Sequence, residues 1–302
     1  MRNKFANVIY KVGLKDKRIC ALVADISPAG SMMDFRKKFP DRFINCGVAE
    51  QSMIGIAAGL ALRGMRPFCY TIATFSLYRP FEMVRVDLCY QNLPVTIIGM
   101  GAGLIYSTLG STHHSFEDIS IASSLPNMTV LAPCDPLEME QATLWCTKRN
   151  KGPVYMRLGK RGEPNLTEKA KEKFVIGKIR YLRKFKEKKV VIITYGTIMY
   201  LAKKVADKLK NYNINASIIS CHTIKPLDKK GITKMLSDYD NVVVIEEHVP
   251  TGGLNSSIKS INSDLNKKTK IHSFTCKDEF IHSYGSYENL LSKHGISENK
   301  II

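Results

Sequence analysis

A chain of 302 residues suggests about two domains, and its apolar share of 44% is ordinary for proteins that bury a sizeable core. No apolar run approaches the roughly 18 residues of a membrane span, and the opening MRNKFANVIYKVGLKDKRIC has no uninterrupted apolar stretch of the secretory kind. The formal charge of +18 raises the question of nucleic acid, but no zinc-finger or RNP-like motif accompanies the lysines, which reads as a solvated basic surface facing an acidic partner or a phosphorylated ligand.

Along the chain, RICALVAD (18–25) reads as a short buried strand. Residues 51–63 have helical length and stop at Gly64, a C-terminal helix glycine. PFCYTIA (67–73) is strand-like. SLYRPFEMVRVDLCYQ (76–91) predicts one helix with Pro80 in its first turn. PVTIIGMG (94–101) predicts a buried strand and a glycine loop, FEDISIASSLP (116–126) a helix up to Pro126, and MTVLAP (128–133) a strand. DPLEMEQATLWCTKR (135–149) predicts a helix with Asp135 as N-cap and Pro136 at its first position. PVYMRLG (153–159) is one more strand. This alternation implies an α/β fold with a doubly wound parallel sheet.

The polar segment KRGEPNLTEKAKEKF (160–174) reads as an interdomain connection. A second, smaller α/β unit then begins at KVVIITYG (189–196). TIMYLAKKVADKLKNY (197–212), NASIISCHTIKPLD (215–228), NVVVIEEH (241–248) and TGGLNSSIKSIN (251–262) complete it. The expected division is a first domain over 1–165, a linker over 166–178 and a second domain over 179–302. Eight cysteines (Cys20, Cys46, Cys69, Cys89, Cys134, Cys146, Cys221, Cys276) stand singly without a CxxC pair, the pattern of reduced thiols in a cytoplasmic protein.

The run RFINCGVAEQSMIGIAAGLALRGMRPFCYTIATF resembles the pyrimidine-binding domain of the transketolase family of thiamine-diphosphate enzymes, including 1-deoxyxylulose-5-phosphate synthase. STLGSTHHSFEDI (107–119), LPNMTVLAPCDPLE (125–138), GPVYMRLGKRG (152–162), IKPLD (224–228) and VVVIEEHVPTGGL (242–254) continue the likeness in the family's order. The Gly-Asp-Gly motif, with which full-length members hold Mg²⁺ and the cofactor's diphosphate, does not occur in the sequence. The resemblance is therefore to the C-terminal two domains, as in the second subunit of a split transketolase. It implies a partner: an N-terminal transketolase-like subunit bearing Gly-Asp-Gly and supplying the oxygen ligands for Mg²⁺. It also implies homodimerisation within a heterotetramer.

The resemblance gives roles to particular residues. Thiamine diphosphate loses its thiazolium C2 proton to its own 4′-amino group, which must first become the imino tautomer. A carboxyl group on N1′ of the aminopyrimidine favours that tautomer, and burial brings such a carboxyl closer to sharing a proton. Glu50, directly before a small apolar helix, matches the family glutamate in this role; the plain alternative is an acid placed against the helix dipole. Phe75 matches the aromatic that stacks on the pyrimidine, with Ile72 and Tyr78 flanking it. His113 matches a histidine near the reacting carbon, where a neutral imidazole moves protons to and from substrate oxygens. His114 stands where glutamine is usual and is assigned to substrate binding; a metal role is not assigned to the His pair, since adjacent residues rarely converge on one ion. Arg2, Arg79 and Arg157 match arginines that bind substrate phosphate in one member or another, a role suited to the guanidinium fork. Gly55 and Gly59 allow close approach, either of a subunit or of an element within the domain.

Two departures bear on the substrate. Leu109 replaces an acid that reads a donor hydroxyl in transketolases proper, and Gly101 replaces a phosphate-binding histidine. The expected activity is transfer of a two-carbon ketol or acyl unit from a ketose or 2-oxo acid donor to an aldehyde or sugar acceptor, with a specialised substrate such as a modified or nucleotide-linked sugar. Two other readings stay open: the β subunit of a 2-oxo acid dehydrogenase E1 component, and a non-catalytic basic α/β binding module.

Overall fold

The structure is a computed structural model that describes residues 1–26, 31–160, 162–265 and 269–302. Arg161, in the connecting segment, lies outside the described residues. The strands are β1 (Ile19–Val23), β2 (Phe43–Asn45), β3 (Arg66–Ile72), β4 (Thr96–Met100), β5 (Thr129–Leu131), β6 (Val154–Leu158), β7 (Arg180–Arg183), β8 (Val190–Thr194), β9 (Ala216–Ser220), β10 (Thr223–Lys225), β11 (Asn241–Ile245) and β12 (Lys270–Phe274). The helices are α1 (Arg2–Gly13), α2 (Ser31–Lys38), α3 (Glu50–Leu62), α4 (Ala73–Leu77), α5 (Phe81–Met83), α6 (Asp118–Ser124), α7 (Pro136–Thr147), α8 (Met199–Lys208), α9 (Lys229–Asp238), α10 (Leu254–Ser263), α11 (Tyr287–Lys293) and α12 (Glu298–Ile301).

The first sheet has the order β10-β5-β6-β4-β3-β1-β2 and the second β12-β11-β8-β9-β7. Strand β1 shows how the first sheet is wound on both faces. Its alternate residues Cys20 and Leu22 join the core under α3, while Ile19, Ala21 and Val23 join the core under α1 and α7. All five are buried, so the strand reads as a continuous apolar run. The first of these cores continues through Ile119 and Ala122 into Val191 and Ile193 of the second sheet. The two domains thus share buried apolar surface.

Two expectations are revised. The strand TIK of the segment 215–228 does not stay in the second unit: β10 pairs antiparallel with β5 and forms an edge of the first sheet. With β7 antiparallel to β9, each sheet is parallel with one antiparallel edge. The segment 76–91 is not one helix. It breaks after α4 at Tyr78–Pro80, because proline lacks an amide hydrogen and its ring crowds the preceding turn. It resumes as α5 and a π-helical stretch over Val84–Tyr90. The polar connection is fastened to the first domain. Asp135 caps α7 through the Glu138 amide and, with its other oxygen, accepts from Leu166 N, Thr167 N and Thr167 Oγ1 at 2.7–2.8 Å.

Gly64 does what its position predicts. It takes φ +85° and ends α3, with Gly64 N donating to Ala61 O and Met65 N to Leu60 O. Gly55 and Gly59 lie on the outward face of α3, where an added Cβ would meet nothing within 4 Å. Packing inside the domain therefore does not account for them. Among the described residues, no helix is long and apolar enough to cross a membrane.

Candidate active site

Helix α3 begins at Glu50, and α4 follows β3 directly. These two helix starts set the acid and the aromatic side by side. Glu50 is 4% exposed. Its two carboxylate oxygens each accept a hydrogen bond from Arg79 Nη1, at 3.1 Å. The Arg79 guanidinium also lies over the Phe75 ring, 4.1 Å from its centroid. The His113 ring meets Phe75 edge-on at 5.1 Å, so acid, aromatic and imidazole form one cluster. Burial, then the charge of Arg79, lowers the His113 pKa from 6.5. A neutral imidazole at neutral pH is the form that can exchange protons with a substrate oxygen.

The flanking residues take separate parts. Ile72 is the residue before α4, half-buried in the apolar core. Tyr78 turns its hydroxyl to Glu117 Oε2, 3.0 Å away. Tyr78, Phe75 and Arg79 line a cleft of about 450 Å³, whose other wall includes Ser111, Thr112, His114 and Phe280. His114 is buried and has no hydrogen-bond partner on either ring nitrogen. Burial also lowers its pKa, so it stands as a neutral side chain.

The loop carrying His113 is held by the second domain. Leu104 N donates to Glu247 Oε1 at 3.1 Å, and Ser111 Oγ to Ile281 O at 2.5 Å. Gly103 and Ser115 tie the loop's two ends together. Glu247 stands 143 residues beyond its partner Leu104 in the chain, and Phe280 comes from farther still, so no local signal could have revealed either. Glu246 serves a different purpose and accepts from Leu254 N and Asn255 N at the start of α10.

Tyr106 is a further residue that sequence reasoning missed. Its ring meets His113 edge-on at 5.9 Å. Gly101, at φ +67°, has no room for a Cβ because the Tyr106 ring fills that space. The tyrosine therefore stands where a side chain at 101 would project. The Lys160 ammonium is 4.8 Å from its ring centroid, and the charge of Arg2 acts on both Tyr106 and Tyr70. Positive charge is thus gathered beside Tyr106, and the Arg2 Nε is buried without a partner. The exposed Leu109 follows in the same loop.

Arg157 is placed elsewhere. Its guanidinium is buried, with Nε 3.3 Å from Asp118 Oδ2 and Nη2 donating to Glu247 O at 3.1 Å. Burial alone would lower its pKa, but Asp118, Tyr195 and Glu247 outweigh burial and raise it. Nε and Nη2 of Arg157 are thus engaged in a network that reaches from Asp118 to Glu247 of the second domain. Among the described residues, no three His, Cys, Asp or Glu side chains are arranged to hold a metal ion. All eight cysteines are free and only Cys46 is not fully buried; burial pushes the Cys20 thiol up to about 12.

A family model described as transketolase, pyrimidine binding domain, matches residues 1–164, and one described as transketolase, C-terminal domain, matches residues 177–301. The chain belongs to the transketolase family. It is 33% identical over 257 residues to the B subunit of the apulose-4-phosphate transketolase of Phocaeicola vulgatus, covering 85% of this chain and 81% of that protein. It is 33% identical over 298 residues to the 1-deoxy-D-xylulose-5-phosphate synthase of Clostridium tetani, covering 99% of this chain and 47% of that protein. The chain thus spans about half the length of that synthase. Among solved structures it is similar to a split-gene transketolase described as an inactive β4 tetramer, with a TM-score of 0.86 and 31% identity over 99% of this chain and 94% of that one. The transketolase of Campylobacter jejuni shares the fold, with a TM-score of 0.82 at 18% identity over 99% of this chain and 45% of that one.

Proposed function

We propose that this chain is the subunit of a two-subunit, thiamine-diphosphate-dependent transferase that holds the aminopyrimidine end of the cofactor. The observation that carries the reading is the Glu50–Phe75–His113 cluster: a buried carboxylate, an aromatic face and a neutral imidazole gathered around the Arg79 guanidinium and the Phe75 ring. The residues fit the ring, because Glu50 and Phe75 already hold a flat nitrogen-rich cation, the Arg79 guanidinium, by its edge and its face. When bound, the cofactor supplies a nucleophilic carbon that carries the transferred two-carbon unit.

Glu50 would hold the proton shared with N1′. Phe75 would fix the plane of the ring without competing for its polar edge. His113 would pass protons to and from the substrate's hydroxyl or carbonyl oxygen. Leu109 and Tyr106 make the donor side less polar than an acid and a histidine would, which supports a specialised donor or acceptor: a modified or nucleotide-linked sugar, or a 2-oxo acid. Arg2 and Lys160 beside Tyr106 suit an anionic substituent on that substrate. Mg²⁺ and the diphosphate fall to an N-terminal partner bearing Gly-Asp-Gly. The Phocaeicola relative, by its name one subunit of a larger enzyme, supports a two-chain assembly. The open, small-residue face of α3, with Gly55, Gly59 and the exposed Ile56 and Leu62, supports assembly of two copies of each chain.

The test is purification of the tagged chain from its own cells, reconstitution with the co-purifying chain, and measurement of C2 proton exchange on thiamine diphosphate. Glu50→Gln is expected to slow exchange about 10²- to 10⁴-fold, the usual worth of a positioned acid–base group, with the fold unchanged. Full exchange in Glu50→Gln would overturn the assignment. Turnover of xylulose 5-phosphate with ribose 5-phosphate at ordinary transketolase rates would overturn the specialised substrate. Co-purification of a lipoyl-domain protein would favour the 2-oxo acid dehydrogenase instead.

A further inference from the structure

Arg79 contacts the same two side chains to which the proposed function assigns the aminopyrimidine. Its Nη1 donates to both Glu50 oxygens at 3.1 Å, and its guanidinium carbon lies 4.1 Å from the centroid of Phe75. A guanidinium is planar, delocalised and rimmed with N–H donors. Those are the properties of a group that stacks by its face and meets a carboxylate by its edge. A ring stacked on this face of Phe75 and bonded to Glu50 would need the volume the guanidinium fills. The two cannot be present together.

The pair is also lopsided in burial. The Glu50 side chain is 4% exposed, whereas that of Arg79 is 47% exposed. A buried carboxylate without a partner is costly. The arginine offsets that cost while its own body remains in water, so it can leave toward solvent. Arg79 follows the end of α4, just before the break at Pro80, and lines the cleft beside Ser111 and Thr112.

We infer that Arg79 is a built-in stand-in for the aminopyrimidine: it fills the ring's place in the unloaded chain and is displaced when the ring binds. Loading then has two consequences. Glu50 exchanges one flat nitrogen-rich partner for another, so its carboxylate is paired in both the unloaded and the loaded chain. The released guanidinium adds a positive charge at the cleft mouth, where an anionic substrate arrives. Occupied by its own arginine, the site binds the ring more weakly, its affinity scaled by the fraction of time the arginine is out of place.

The inference rests on the thiamine reading, and the experiment separates the two. The full-length chain is titrated with thiamine, followed by saturation-transfer NMR, as the natural protein, as Arg79→Ala and as Arg79→Lys, with folding checked by circular dichroism. Loss of a half-exposed ion pair and its cation–π contact predicts about tenfold tighter binding to Arg79→Ala. Arg79→Lys keeps the charge without the flat face and is expected to fall between. Millimolar guanidinium ion, far below denaturing concentrations, should weaken thiamine binding to Arg79→Ala and leave the natural protein unaffected. A merely structural arginine would not produce that rescue. Equal or weaker binding by Arg79→Ala overturns the stand-in and leaves the thiamine reading intact. No thiamine binding by any form overturns both.

Discussion

The molecule contains two arginine–carboxylate pairs that share a chemistry and differ in burial. Glu50 meets Arg79 at the mouth of a cleft, where the acid is buried and the arginine is half in water. Asp118 meets Arg157 in the seam between the domains, where both side chains are buried, at 0% and 6%. The second pair is surrounded. Tyr155 donates to Asp118 Oδ2 at 2.8 Å, and Arg157 reaches the carbonyl oxygens of Ser115 and Glu247. Neither member of that pair can leave without stranding a charge in a low-dielectric interior. The lesson is that the burial of the cation decides the use of the pair. One can open and exchange partners; the other holds two domains in register and fixes the loop that carries His113.

Breaking the seam should have the largest effect on stability. Arg157→Ala is expected to lower the unfolding free energy by about 3–5 kcal/mol, because it leaves Asp118 buried and unpaired. Urea denaturation of the full chain measures this, and a loss below about 1 kcal/mol would contradict a closed buried pair.

A smaller effect is expected from pH. His222 is fully buried near the same seam, stacked on Phe174 at 4.0 Å. Burial, then the charge of Arg180, holds its pKa down to about 3 from 6.5. Below 6.5 the unfolded chain takes up a proton that the folded chain refuses until about 3. The stabilisation is therefore complete above pH 6.5 and is lost as pH falls toward 3, at up to about 1.4 kcal/mol per pH unit. Chemical denaturation between pH 7 and 5 should show this slope, and His222→Gln should flatten it.

The smallest effect belongs to the open pair. Arg79→Ala is expected to cost no more than about 1.4 kcal/mol, the equivalent of the tenfold change in thiamine binding, since water can reach the carboxylate once the half-exposed side chain is gone. A loss as large as that of Arg157→Ala would erase the contrast between the two pairs and with it the freedom assigned to Arg79.

Much of the fold was legible because its signals are local. Buried runs of strand length, the cap Asp135–Pro136 and the stop at Gly64 each act within a few residues. Helix α1 carries the same kind of signal, with Phe5, Val8, Ile9 and Val12 at helical spacing, although its charged neighbours mask it. The cluster of Glu50, Phe75 and His113 was legible through motifs that keep their order in a family. The break at Pro80 was misjudged by a few residues, because proline at a first turn and proline between two helices look alike in sequence.

What remained hidden depends on distance along the chain. Strand periodicity reports which face of β10 is apolar, but not which sheet accepts it, and a three-residue strand from the second half closes the first sheet. Residue type marks Arg157 and Arg79 alike as phosphate binders. Their fates diverge because Arg157 is covered by Asp118, from α6, and by Glu247, 90 residues after it, while Arg79 faces an open cleft. Elements and motif order follow from short-range sterics and hydrophobic period, and these are written residue by residue. The burial of a charge is a property of everything packed around it, and that exists only once the two domains have closed on each other.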